Sequence, residues 1–403
     1  MSDSFTEVTE KSWFGRLKDA FFGVIFGIIL AVGSVVLLFW NEGRAVETYK
    51  TLVEGASNVI SVLAEKLEQS NEGKLVHLKG QATTDETLSD SDFNVSAKAL
   101  RLDRNVKMYQ WTEVKSEKEE KKIGGGTNKI VTYDYRKEWL EELKPSSNFK
   151  KQDGHSNPSE MPYHQLRLVA KNVKLGAFTL TDSLVQSLSN FEKLPVGELP
   201  TVSPATAVGS GTAASGTSAA GVSKPAMTPA DGGLYLGMNP REPQVGDVKV
   251  EFSQVKPQAV SIVAKQVGSS FGPYKTQAGG VIEMIRPGEL TADAMFAAAQ
   301  EENTIITWVA RIGGFILMAI GFALVLSPIS VVFDVLPFLG NIAETGVSFI
   351  AFFMAAFCSL ATIGTAWIIY RPLIGIILFV IAFGALAGLA SMRKTGKTVS
   401  AAS

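Results

Sequence analysis

The sequence predicts an α-helical membrane protein with four transmembrane helices, one N-terminal and three C-terminal, and a large β-rich α+β extracytoplasmic domain between them. Three observations predict it: apolar runs near twenty residues at both ends of the chain, a bias of Lys and Arg to one side of those runs, and β-branched and aromatic residues alternating with polar ones in between.

Residues 1–20 read as a cytoplasmic tail in which Trp13, Phe14 and Leu17 share a helical face against Lys11, Arg16 and Lys18. That pattern suits a helix lying in the membrane interface, or a merely solvated tail. Residues 21–40, FFGVIFGIILAVGSVVLLFW, carry no charge and as a helix measure about 30 Å, the thickness of a hydrocarbon core. A cleavable signal would have a shorter apolar core and a small-residue cleavage site. This run ends instead in Phe39 and Trp40, which suit an interfacial aromatic belt, so it reads as a retained anchor. Asn41 to Arg44 then read as a hinge at the membrane border. Gly43 permits a turn there, and Glu42 and Arg44 lock to each other or to lipid headgroups.

Residues 41–200 make the first part of the domain. An amphipathic stretch from Thr48 begins helical and turns extended across Ser57–Leu63, and KLVHLKG, ALRLDRNVKMYQWTEV and KIVTYDYRKEWLEEL read as strands. The charged, glycine-rich EKEEKKIGGGTNK joins the last two as a hairpin connection, and a short helix starts at Ser183. Residues 201–233, nearly all Ala, Gly, Ser, Thr and Pro, read as a disordered insertion. Residues 234–307 complete the domain with more strands and a helix capped by Thr291 that heads for the second span. Spans follow at 308–333, with Trp308 and Arg311 at its start, at 347–370 and at 373–390. Arg371 and Pro372 join the last two as an antiparallel hairpin, and 391–403 is a second cytoplasmic tail. Beside the spans, six Lys and Arg fall on the proposed inside and four (Arg44, Lys50, Arg311, Arg371) on the outside.

A net charge of -1 gives no electrostatic footprint for nucleic acid, and a lone cysteine, Cys358, excludes intramolecular disulfides and multi-thiolate metal clusters. Hydrolase and zinc-protease signatures are missing, and the three histidines are scattered: His77 sits in a strand as a packed side chain, His155 braces a loop, and His164 lies on another. The expectation is therefore no catalytic, cofactor or metal residues and no enzymatic activity. Within the spans, Gly23, Gly27 and Ala31, and Gly384 and Gly388, form small-residue faces for helix packing, within one chain or between copies. Trp13, Trp40, Glu42, Arg44, Trp308, Arg311 and Arg371 are the membrane-border residues. Ser348, Ser359 and Thr362 fall near one face of the third span and are candidates for a polar path, or for hydroxyls bonded back to their own helix.

NEGRA from Asn41, NEGKLVHLKG from Asn71, VKMYQW from Val106, GHSNPS from Gly154, PQVGDVKVEFS from Pro243 and YRP at Tyr370 to Pro372 occur in this order around one span before and three after the domain. In this the chain resembles the transmembrane protein 43 (LUMA) family over roughly residues 13–390, the 201–233 insertion excepted. The resemblance implies a protein of the endoplasmic reticulum and inner nuclear membrane in animals, self-associating, linked to emerin and lamins, with no established reaction. The chain has no nuclear localisation cluster or retention tail, which favours a bacterial member in the inner membrane with a periplasmic domain. The expected partners are membrane lipids, further copies of the chain and proteins not yet identified. The expected role is a non-enzymatic oligomeric scaffold that organises the membrane, the alternative an ion-conducting protein.

Overall fold

A computed structural model describes residues 3–196, 227–230, 232–335 and 337–373, with positions 375, 377 and 380. The predicted fourth span at 373–390, with Gly384 and Gly388, and the tail at 391–403 thus lie outside the described residues apart from those few positions. Three helices are long and apolar enough to cross a membrane: α1 (Trp13–Asn58), α3 (Ala292–Phe333) and α4 (Pro337–Tyr370), with the short α2 (Asp182–Ser187) in the domain.

α1 contradicts the predicted hinge. It runs unbroken for 46 residues, about 69 Å, so the segment Asn41–Arg44 is helical and about 27 Å of helix stands beyond the apolar run. α3, 42 residues long, likewise fuses the Thr291-capped domain helix to the second span, and Thr291 Oγ1 accepts from the Ala294 backbone N–H at 3.2 Å. The two helices lie antiparallel along most of their length, from Gly55 against Phe296 to Trp13 against Val331. Leu52 of α1 and Met295 and Phe296 of α3 share a core with Leu75, Val263 and Ile282 of the domain, which ties the domain to the helix ends.

The domain has two largely antiparallel sheets. One runs in the order Asp3–Lys11, Thr127–Leu140, Arg101–Lys121, Val248–Val255, Gly233–Leu236, Met227–Ala230. The other is ordered Phe178–Thr179, Val173–Leu175, Leu75–Thr84, Gln258–Val267, Ser270–Gly272, with Ile60–Ser61 joining parallel to Leu75–Thr84. Alternation is strict from Leu102 to Gln110, where every second residue is buried, as a half-buried strand requires. Pairing of Met227–Ala230 with Gly233–Leu236 orders the end of the predicted insertion, because the apolar Leu234, Tyr235 and Leu236 give the segment a buried face.

His77 lies in this core, 5% exposed. Its Nε2 donates to the Leu290 carbonyl at 3.0 Å, and its Nδ1 is 3.2 Å from Ser61 Oγ. Burial holds its pKa below the ordinary 6.5, only partly offset by the hydrogen bond to Leu290. A depressed folded value means that this contribution to stability is full above 6.5 and is lost as pH falls toward the folded pKa. The expected result is a melting midpoint that drops below pH 6.5 in the wild type, with a shallower drop in His77→Gln; identical slopes would contradict it.

The N-terminal tail is the second departure from expectation. Asp3–Lys11 is not a free-standing tail but the edge strand of the first sheet, paired from Asp3↔Tyr135 to Lys11↔Thr127. It lies on a long two-stranded ribbon that runs from Met108↔Leu140 to Lys121↔Thr127, about 44 Å. At the tip, Arg16 Nη1 donates to the Gly125 carbonyl at 2.7 Å, and Asp334 pairs with both Arg16 (2.5 Å) and Lys121 (2.9 Å). Lys115, Glu117, Lys118, Glu119 and Glu120 put charge on both faces of the ribbon, so hydrocarbon cannot surround it. Strand Asp3–Lys11 lies along the ribbon to its tip, which meets the Trp13 end of α1, the end away from the Leu52 core. In a Cys358→Ala background, cysteines at the directly paired Thr6 and Thr132 are expected to cross-link on mild oxidation; no cross-link would break the pairing.

Candidate functional site at the membrane border

The site forms where α1, α3 and α4 leave the apolar zone toward the domain. Asn303, Thr307 and Arg311 recur every four residues, which puts them on one face of α3, toward α1. Arg44 donates through Nη1 to Asn303 Oδ1 (3.0 Å) and through Nη2 to Thr307 Oγ1 (3.0 Å) and Asn41 Oδ1 (3.2 Å). Asn41 Nδ2 donates to the Thr307 carbonyl (3.1 Å), and Asn303 Nδ2 to that of Ala45 (3.0 Å). These side chains satisfy one another where water is scarce, and an unpaired polar group there would be costly.

Deeper along the helix pair, the carboxylate of Glu42 is fully buried. It accepts from Arg311 Nε at 2.6 Å and Nη2 at 2.8 Å, a two-point fork, and from Trp367 Nε1 of α4 at 2.7 Å. The Arg311 guanidinium also lies 4.9 Å from the Trp308 ring centroid and 5.7 Å from that of Trp367. One carboxylate thus joins all three helices. Gly43 serves this junction rather than a turn. A Cβ there would come within 2.8 Å of Tyr370 Cζ, so only glycine admits the ring, which also packs on Phe39 at 5.4 Å.

The other border residues divide. Trp40 and Trp308 are more than half exposed, as an aromatic belt requires. Trp13 instead donates from Nε1 to the Val331 carbonyl at 2.8 Å. Glu42, Arg44 and Arg311 face each other's helices, not headgroups, and Glu42 and Arg44 are not locked together. Arg371 has no hydrogen-bond or ion-pair partner for its guanidinium among the described residues, and it lines a cavity with Arg311 and Trp308.

Gly23, Gly27 and Ala31 pack within the chain. A Cβ on Gly27 would sit 2.6 Å from the Gly321 carbonyl oxygen, and one on Gly321 2.9 Å from the Ala31 nitrogen. Nor are the candidate hydroxyls brought together. Ser348 is exposed, Ser359 is buried and donates to Met318 Sδ at 3.4 Å, and Thr362 donates back to the Cys358 carbonyl at 2.7 Å. His155 is fully buried, stacked on Tyr135 at 3.9 Å with Nε2 2.9 Å from Asp3 Oδ2, and braces the ribbon base against the edge strand. Among the described residues no group of three or more His, Cys, Asp or Glu is placed to hold a metal.

Sequence reasoning missed Asn41, Asn303, Thr307 and Trp367. The four-residue spacing of Asn303, Thr307 and Arg311 on the way into a span was the available signal.

Three long apolar helices, a β-rich domain held on two of them and a polar junction between define an integral membrane protein with a large extramembrane domain. The family model for transmembrane protein 43 matches residues 108–372. Transmembrane protein 43 of Rattus norvegicus is 31% identical over 371 residues (89% of this chain, 87% of the relative), and that of Homo sapiens 30% with the same coverage. The Drosophila melanogaster homolog is 30% identical over 369 residues, 87% of this chain and 89% of the relative. No solved structure matches. The chain belongs to the transmembrane protein 43 family. These relatives come from animals, and the expectation of a bacterial origin finds no support in them.

Proposed function

We propose that this protein is a non-enzymatic membrane scaffold whose β-rich domain binds protein or lipid partners and organises the surrounding membrane. The observation that carries the reading is the continuity of α1 and α3, each passing without a break from the domain core through the apolar zone. A domain mounted this way holds a fixed pose over the lipid surface, which a scaffold needs and a flexibly tethered domain lacks. Self-association is part of the proposal. Its contacts must lie elsewhere than Gly23, Gly27 and Ala31, which α3 already occupies. Sedimentation of the purified protein in mild detergent tests it: a species larger than the monomer is expected, and a strict monomer at high concentration would remove the oligomeric part. No observation favours the ion-conducting alternative.

A further inference from the structure

Beside the Glu42 junction lies a cavity of about 220 Å³ lined by residues that include Tyr49, Gln300, Thr304, Trp308, Arg311 and Arg371. Its chemistry is one-sided. It is lined by two guanidiniums and no carboxylate, while Arg44 stands behind it with a buried Nε that has no hydrogen-bond partner. Glu42 neutralises Arg311 in a two-point pair but leaves Arg371 without a counter-charge among the described residues. Tyr49, Gln300 and Thr304 add polar groups at the wall, and Tyr49 and Thr304 are exposed.

Position distinguishes this cavity from a general cationic patch. Trp308 and Tyr49, both more than half exposed, flank it as interfacial aromatics do. Directly below, Val309, Ile312 and Ile316 of α3 and Leu373 after Arg371 present exposed apolar surface. A ligand there would meet donors and positive charge at its head and hydrocarbon along its tail.

We propose that the cavity binds a phosphate group, presented by the headgroup of an anionic phospholipid whose acyl chains lie along α3. Arg371 is the principal cation, free to fork onto two phosphate oxygens. Tyr49 and Gln300 supply neutral hydrogen bonds, while the Thr304 hydroxyl donates to the Gln300 carbonyl of its own helix at 2.9 Å, and Arg311 adds field without leaving Glu42. The proposal deepens the lipid branch of the scaffold reading, but it is read by lipid retention and not by oligomeric state, so either can fail alone.

The test is native mass spectrometry of the full-length protein in mild detergent, titrated with phosphatidylglycerol or with phosphatidylcholine. Parallel melting curves are taken with inorganic phosphate. The wild type is expected to retain phosphatidylglycerol in preference to phosphatidylcholine. Arg371→Gln is expected to weaken that retention about tenfold or more, the scale of a lost charge-assisted contact, and Arg371→Lys to restore part of it. Because the Arg371 guanidinium makes no intramolecular polar contact among the described residues, Arg371→Gln should melt with the wild type. Tyr49→Phe gives a second, milder variant with a smaller loss. Stabilisation by inorganic phosphate that depends on Arg371, with no preference for phosphatidylglycerol, would overturn the lipid source and assign the site to a soluble phosphate. Equal retention of both lipids, or undiminished retention by Arg371→Gln, would overturn the site.

Discussion

Replacing Glu42 with alanine is expected to destabilise the three-helix bundle by about 3–5 kcal/mol, the usual cost of removing one partner of a buried ion pair. The loss exceeds that of an exposed salt bridge because the mutation leaves two groups stranded. The Arg311 guanidinium, 15% exposed, loses both points of its fork, and the Trp367 indole N–H loses its acceptor. Arg311→Met should cost about as much, since the carboxylate then stays buried without its counter-charge. Removing both charges, in Glu42→Leu with Arg311→Met, should cost less than the two single changes added, because no charge is left without its partner. Thermal unfolding followed by helical circular dichroism in detergent measures all three. Strict additivity would mean that Glu42 and Arg311 act independently.

The second large effect is expected at the helix crossing. Gly27→Leu should separate α1 from α3, because even a Cβ at this position meets the Gly321 carbonyl oxygen at 2.6 Å and the backbone nitrogen of Val325 at 3.0 Å. Backbone on the far side cannot swing away as a side chain would, so the helices themselves must part. Gly27→Ala is expected to cost about 1–3 kcal/mol from overpacking, against a gain of about 1 kcal/mol in helix propensity. Gly33 is the internal control: nothing lies within 4 Å of a Cβ there, so Gly33→Ala should be neutral or slightly stabilising. Protease resistance of the α1–α3 pair and the melting midpoint check both. A Gly27→Leu protein as stable as Gly33→Ala would refute the crossing.

The legible parts of this molecule were those specified by local pattern. Twenty uncharged residues identify an apolar helix wherever they occur, and period-two alternation in Val106 to Trp111 needs no partner to be recognised. The Thr291 cap is likewise local. What escaped the sequence were pairings between distant segments. Asn41 to Arg44 has the composition of a border and reads as a hinge, yet it remains helical because Asn303, Thr307 and Arg311, some 260 residues on, partner its polar side chains, the Arg44 Nε excepted. The same holds for Asp3–Lys11, whose alternation is short and weakly apolar; only the exposed edge of Thr127–Leu140 makes it a strand. Small-residue faces were visible at Gly23 and Gly27, but whether α3 or another copy fills such a face is a tertiary fact. In the site, Glu42, Arg44, Arg311 and Arg371 are each legible as border residues, whereas the division into a closed junction and a guanidinium without a polar partner among the described residues is not.

Rigid mounting of the domain on the spans is the central claim, and a single distance measurement tests it most directly. In a Cys358→Ala background, spin labels at Ser187 on the exposed side of α2 and at Ile320 on the lipid face of α3 report the domain against the membrane part. Pulsed electron–electron resonance in lipid nanodiscs is expected to give one narrow distance distribution, because α3 runs without interruption from the domain core to Ile320. A broad or two-peaked distribution would mean that the chain bends between domain and membrane, and would contradict the account.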